Sequence, residues 1–272
     1  MPRSNIKQIL KRQLAGRAAL QPLFQALHRL ALIGMNYGMA SWDVGDSGEK
    51  LVIRYLAKHV GNDVQPVVFD VGANIGDFSS AMLSVFGERV RLYTFEPSGA
   101  AFAKMSQKLA GYKNVRLSNF GLGEHNETAV LHTDRPGSEY GSLYVRRIEH
   151  IGVTINTCEA IEIRRIDNFC QQEGIEHIDL LKLDVEGNEF NVLRGGESLL
   201  KRKAIDLIQF ELGRASVDAR VFFKDFFYLL RPSYRIYRVL QNNIVEIDNY
   251  REEYEIFLTT NYLAVSRDIV LP

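Results

Sequence analysis

The sequence predicts one large α/β domain with a mostly parallel sheet, a terminal antiparallel strand and N-terminal helices. Three observations carry that reading. From residue 66 onward, short apolar runs alternate with stretches of helical spacing, the signature of strands joined by helical crossovers. The first apolar run ends in a glycine-rich turn that opens a helix. Runs over 235–240 and 255–265 read as a closing antiparallel pair.

The elements follow in order. Residues 1–60 read as a helical cap and 61–272 as the α/β domain. In the cap, apolar residues recur at Ile6, Leu10 and Leu14, then at Leu20, Phe24, Leu27 and Ala31, with a break near Pro22. Six Lys or Arg and no acid precede Asp43, so these helices carry a basic face. Two readings stand for them: a cap docked on the core or on a second copy of the chain, or peripheral contact with an anionic membrane surface. Strands are predicted at 67–71, 91–95, 115–119, 178–184 and 205–211, with helices at 76–86, 99–109, 189–200 and 217–230. A further strand is predicted at 161–163. Residues 133–157 hold Pro136 and several Gly and Ser, and read as a long mobile segment flanked by His132 and His150.

Composition narrows the function. Lys plus Arg number 33 and Asp plus Glu 33, so no charge excess points to a nucleic-acid partner. No apolar stretch is long enough for a transmembrane helix, and the start lacks a secretory pattern. Cys158 and Cys170 read as reduced thiols, so a cytoplasmic enzyme is expected. His125, His132, His150 and His177 show no metal-binding spacing.

The glycine-rich turn is the first chemical signal. Asp70, Gly72, Ala73, Asn74 and Gly76 lie in it or at its edges. A dinucleotide loop needs G-x-G-x-x-G, but counting from Gly72 the later glycine positions are Asn74 and Asp77. Asp70 and Asp77 bracket the turn and repel a pyrophosphate. S-adenosylmethionine, cationic and free of phosphate, suits such a loop better than NAD or ATP. Glu96, followed by Pro97, ends the second strand, where a carboxylate can accept ribose hydroxyls. Asn119, Gly121 and Leu122 follow the third strand, at the expected adenine edge, though Asn119-Phe120-Gly121 is also ordinary turn chemistry.

The segments Val68 to Gly76, Thr94-Phe95-Glu96-Pro97 and Ile178 to Glu189 resemble the FkbM-type methyltransferases, and the order and spacing of these blocks fit from about residue 34 to 265. Gly34 to Tyr37 and Ser47-Gly48-Glu49 look like the family's N-terminal region. The resemblance implies a Rossmann-like class I methyltransferase fold over 61–272, S-adenosylmethionine as cofactor, and methylation of hydroxyl groups on sugars or natural products. The acceptor is then a small molecule or glycan.

Strand ends supply the chemistry around the methyl group. Asp184, Glu186 and Glu211 fall at the carboxyl edge of the sheet, where open α/β folds bind ligands. One reading makes them catalytic: Asp184 beside the cofactor, Glu186 as base or acceptor anchor, and Asp184 with Glu211 as ligands of Mg²⁺ or Mn²⁺. The other makes them helix caps or partners of Arg194, Arg214 and Arg220. Tyr140, Ser142 and Tyr144 could close the site or form a solvated loop. Two rival functions remain open: a nicotinamide-dependent oxidoreductase, and a methyltransferase-like scaffold without catalysis.

Overall fold

A computed structural model describes residue 11, residues 13–38 and residues 47–270. Its main sheet contains β1 (Val67–Val71), β2 (Arg91–Phe95), β3 (Val115–Ser118), β7 (Ile178–Leu183), β8 (Ile205–Leu212), β9 (Tyr234–Val239), β10 (Ile244–Glu246) and β11 (Thr260–Ser266). They lie in the order β10-β9-β11-β8-β7-β1-β2-β3. The run from β3 to β8 is parallel throughout. β11 inserts antiparallel between β8 and β9. The fold is thus the Rossmann-like α/β class that the alternating pattern predicts.

The central strands are nearly all apolar because both faces are covered. One face carries Phe69, Phe95, Leu181, Ile208 and Phe210, packed with Phe169, Val192 and Phe226 from the helices Ile166–Glu173, Glu189–Gly195 and Phe223–Leu230. Phe210 and Phe226 stack with centroids 4.6 Å apart. The other face carries Val68, Leu92, Leu180, Leu207 and Leu263 under the helices Glu49–Val60, Asp77–Phe86 and Gly99–Leu109.

Several expectations change. The helix expected over 189–200 is two helices, Glu189–Gly195 and Glu197–Lys201. A Cβ on Gly195 would sit 2.0 Å from the Gly123 carbonyl oxygen, so backbone packs on backbone there and the helix is interrupted at the Gly195-Gly196 pair. The helix expected over 217–230 divides into Arg214–Ala219 and Phe223–Leu230, with Arg220 at φ 57° between them. A second sheet, β4 (Gly121–Gly123), β6 (Thr157–Arg165) and β5 (Glu127–Thr133), replaces the single short strand expected at 161–163. The segment 133–157 is pinned, with His132 and Ser142 exchanging backbone hydrogen bonds and Ser142, Arg146 and Ile148 buried.

In the N-terminal region, Ile6 and Leu10 lie outside the described residues. Pro22 stands in the first turn of the helix Gln21–Gly34, where its missing N–H costs nothing. Of that helix only Leu32 is buried, while Leu23, Leu27, Leu30 and Ile33 are exposed, so this helix does not cap the core. The helix Glu49–Val60 does pack on the sheet. Among the described residues no helix is long and apolar enough to cross a membrane.

Candidate functional site

A cavity of about 960 Å³ opens at the carboxyl ends of β1, β2, β7 and β8. Gly72, Ala73, Asn74, Glu96, Pro97, Gly121 and Leu122 line it, as do Asp184, Glu186 and Glu211. Strand ends separated by more than 100 residues in sequence therefore meet in one space.

The glycine loop is built to face a ligand without grasping a phosphate. Gly72 and Ala73 donate their amides to the Phe95 carbonyl at 2.9 and 3.1 Å, and Gly76 donates to Ala73 at 2.8 Å. Asn74, held at φ 48°, donates its amide to Glu96 Oε2 at 2.8 Å. These amides are spent inside the protein, so the loop offers no ready cradle for a pyrophosphate. Gly72 serves packing as much as ligand approach: a Cβ there would lie 1.8 Å from the Asp184 carbonyl oxygen.

Glu96 is buried, and its other oxygen accepts the Ser98 amide at 2.9 Å. Burial pushes its pKa up to about 7 against those two hydrogen bonds. Two of roughly four lone-pair sites are used, which leaves acceptor capacity for a ribose diol. The residues thus fit an adenosine carrying positive rather than negative charge. Bound there, Gly72, Ala73 and Asn74 would meet its amino-acid part and Glu96 its ribose.

Three residues expected to contact the cofactor do not line the cavity. Asp70 is fully buried and does not reach the cavity; it accepts the Ser79 hydroxyl at 2.7 Å and faces Lys182 at 3.5 Å. Gly76, at φ 83°, lets the loop pack on Met105 and Leu109. Asn119 points away and donates to the carbonyls of Glu96 and Pro97 at 2.9 and 3.2 Å, holding the ribose-side turn.

Lys182 organises the floor. Its ammonium, almost wholly buried, lies 3.2 Å from Asp184, 3.5 Å from Asp70 and 3.7 Å from Glu49. Burial opposes its charge, but the combined field of Asp184, Asp70 and Glu49 outweighs burial and raises its pKa. Neither Lys182 nor Glu49 was singled out for a role at the site, although the Ser47-Gly48-Glu49 motif pointed at the latter.

Beyond Lys182 the chain turns sharply through Glu186, a non-glycine residue at φ 52°. Such a conformation costs roughly 1–3 kcal/mol and persists only where neighbours enforce it. Ser142 enforces it by donating its hydroxyl to the Glu186 carbonyl at 2.6 Å. Glu189 helps by accepting the amides of Val185 and Gly187 at 2.9 and 3.2 Å. Arg146, buried, meets the Glu186 carboxylate at 2.7 Å. No local pattern marks Arg146, which comes from the segment expected to be mobile. Burial raises the Glu186 pKa to about 8 despite Arg146, and Asp184 and Glu189 add to the rise. Glu211 is raised well above the carboxylate range by burial and then by repulsion from Asp184, Glu186 and Glu189.

The oxygens of Asp184, Glu186 and Glu211 lie within 4.8 Å of one another, so the expected trio assembles. Of the basic partners considered, Arg194 instead pairs with Glu124 at 2.8 Å. The expected Mg²⁺ or Mn²⁺ finds no support in the charge balance. Asp184 already faces Lys182 at 3.2 Å and Glu186 already faces Arg146 at 2.7 Å. A divalent ion would have to displace these arrangements.

Comparison with known proteins follows the same line. The sequence profile described as "Methyltransferase FkbM domain" matches residues 70–255. The 2-O-methyltransferase NoeI of Sinorhizobium fredii (strain NBRC 101917 / NGR234) is 28% identical over 146 residues, covering 50% of this chain and 60% of that protein. Methyltransferase sdnD of Sordaria araneosa is 28% identical over 158 residues, covering 48% of this chain and 60% of that protein. The match thus spans less than two thirds of either relative. Among solved structures, Aeropyrum pernix fibrillarin with natively bound S-adenosyl-L-methionine has a TM-score of 0.43 and 13% identity, covering 81% of this chain and 76% of that one.

Proposed function

The chain belongs to the FkbM family of S-adenosylmethionine-dependent methyltransferases, and from that premise we propose that it methylates a hydroxyl group of a neutral sugar, glycan or related polyol. The observation that carries the proposal is Glu186: a carboxylate locked in a strained turn, gripped by Arg146, with its pKa raised to about 8. A sugar hydroxyl is barely acidic, and methylating it calls for a base poised near the working pH. The cofactor, when bound, supplies an electrophilic methyl group on a cationic sulfonium. Glu186 takes the acceptor proton, and Arg146 aims the carboxylate and holds its charge. Asp184 stands between Lys182 and the cavity, where it can face the cofactor's ammonium. Glu211, without an ion-pair partner among the described residues, is an anchor for acceptor hydroxyls.

The acidic surroundings disfavour phosphorylated acceptors and nucleic acid, whose charge they would repel. The printed activity of the NoeI relative, 2-O-methylation, agrees with a hydroxyl acceptor. A nicotinamide-dependent reaction is disfavoured because the loop amides are spent. A silent scaffold would have no use for a strained, charge-gripped Glu186.

The test is a screen of neutral sugars, glycans and their phosphorylated counterparts with methyl-labelled cofactor, on the wild type and on E186Q. Labelled methyl ether on a neutral acceptor, lost in E186Q at unchanged cofactor affinity, is the expected result. Transfer only to nitrogen or carbon, or full turnover in E186Q, would overturn the assignment.

A further inference from the structure

A second cluster of ligating side chains lies at the opposite end of the sheet. His177 directly precedes β7, Asp179 is the second residue of β7, and Asp206 is the second residue of β8. Parallel pairing sets Ile178 beside Ile205, so the two aspartates sit side by side. His59 joins them from the last turn of the helix Glu49–Val60. Sequence spacing hides this group, because its members come from three separate segments.

Both imidazoles aim the same atom at one oxygen. His177 Nε2 lies 3.2 Å, and His59 Nε2 3.4 Å, from Asp206 Oδ2. One ligand atom each from His177, Asp179 and Asp206 falls within 4.8 Å of the others. Asp179 is already oriented, since its Oδ2 accepts the Val67 amide at 2.7 Å. A tetrahedral ion with bonds of about 2.0–2.1 Å separates neighbouring ligand atoms by about 3.3 Å, close to the 3.2 and 3.4 Å that separate Asp206 Oδ2 from His177 and His59. His177 is half exposed and leaves an entry path, while Asp206 and His59 are mostly covered.

We propose that His177, Asp179 and Asp206, grouped within 4.8 Å, form a binding site for a borderline divalent transition-metal ion, with His59 drawn in from its place beside Asp206 and Zn²⁺ the natural occupant. Two imidazole nitrogens with two carboxylates suit Zn²⁺ or Co²⁺, whereas Mg²⁺ demands six oxygen-type ligands. The site is remote from methyl transfer. Asp179 and Asp184 are five residues apart along one strand, about 17 Å at about 3.3 Å per residue. Its role is therefore mechanical: the ion fastens the helix Glu49–Val60 to β7 and β8. That helix carries Glu49 to the catalytic floor at its other end. The proposal does not depend on which acceptor is methylated.

The test uses the full chain, stripped with chelator and titrated at pH 7.5 with Co²⁺ and then Zn²⁺. One equivalent of Co²⁺ should bind with the visible ligand-field bands of a tetrahedral nitrogen-containing site, and Zn²⁺ should bleach them. Zn²⁺ should also raise the melting temperature in a concentration-dependent way, and excess Mg²⁺ should compete with neither. H177A and D206N should each weaken Zn²⁺ binding about 100-fold or more. H59N provides a milder third variant should either fold poorly. The double variant E186Q/E211Q should bind Co²⁺ like the wild type. Absence of Co²⁺ and Zn²⁺ binding, binding that survives H177A and D206N, or binding lost only in E186Q/E211Q would each overturn the proposal.

Discussion

Replacing Lys182 by Met should be the most informative single change in this protein. Met keeps the chain length and the contact with the Phe78 ring, which lies 5.1 Å from the ammonium, and removes only the charge. Three carboxylates at 3.2, 3.5 and 3.7 Å then face one another without a counter-charge. At an effective dielectric of about 20, each pair with Lys182 is worth roughly 4–5 kcal/mol, most of it offset by the cost of burying the charges. Breaking such a buried group by deleting one partner costs about 3–5 kcal/mol. For a domain of this size that lowers the melting temperature by roughly 6–20 °C. The pH dependence identifies the cause. The Lys182 pKa is raised on folding, so its stabilisation is present at all pH values below the ordinary ammonium range. In K182M the cost is repulsion between ionised acids, so it shrinks in acid and grows as the pH is raised from about 4 to about 8. Thermal melts of wild type and K182M across that range read this directly, and D70N should recover part of the loss. A deficit independent of pH, or below about 1 kcal/mol at pH 8, would refute the electrostatic account and leave packing as the cause.

Glu96→Ala should weaken cofactor binding by about 1.5–3 kcal/mol, roughly 10- to 150-fold; calorimetry checks it, and a loss under about threefold would remove Glu96 from the ribose site. With a true acceptor and saturating cofactor, kcat/KM should rise with pH in the range below about 8, because Glu186, raised to about 8 without cofactor, must ionise before it can accept a proton and the cofactor's charge eases that ionisation. E186Q should flatten that rise and cut turnover roughly 100-fold or more, and an unchanged pH–rate profile in the variant would exclude Glu186 as base. Cofactor binding near pH 7 should release protons from Glu186 and Glu211, seen as a buffer-dependent binding enthalpy; buffer-independent heats would count against their being protonated. The exposed apolar face at Leu23, Leu27, Leu30 and Ile33, in a segment with six basic residues and no acid before Asp43, should bind anionic vesicles in a salt-sensitive manner and lose that binding when residues 1–34 are deleted. Vesicle-independent dimerisation lost on the same deletion would assign the face to a second copy of the chain instead.

How much of this was legible in the sequence depended on where each residue's partners lie. The strands at 67–71, 91–95, 178–184 and 205–211 were readable because burial on both faces makes them continuous apolar runs. The β4–β6–β5 sheet was not: β5 is largely exposed and its alternation is weak. Gly72, Glu96, Asp184, Glu186 and Glu211 were read from strand ends, and all five line the one cavity there. Asp70 and Gly76 belong to the same motif yet serve packing and charge balance, which motif position alone cannot reveal. Arg146 was missed because its partner lies 40 residues away in sequence with no local pattern to mark it; Glu49 stood in a marked motif, but its contact with Lys182, 133 residues away, was not readable. His177 was set aside on spacing and then proved to stand beside His59, Asp179 and Asp206.

The charge distribution around the cavity gives the site an order of events. Lys182 turns inward to Asp70, Glu49 and Asp184, so its charge is committed to the floor. Arg146 is committed to Glu186. Glu211 is the carboxylate of the trio without a cation partner among the described residues, and burial and its acidic neighbours raise its pKa well above the carboxylate range. Burial, reinforced by Asp184 and Glu189, keeps much of Glu186 protonated too. In this resting state the base is masked. A cation lodged against Asp184 weakens the repulsion that Glu186 and Glu211 feel, and their protons become easier to lose. If Glu186 is the base as proposed, it would be released when the methyl donor's positive charge is in place and held back when it is not. An acceptor hydroxyl that enters first meets protonated acids, which can hydrogen-bond it but cannot deprotonate it. On that assignment, the acid surplus that disfavours phosphate would also couple activation of the acceptor to occupancy of the cofactor site.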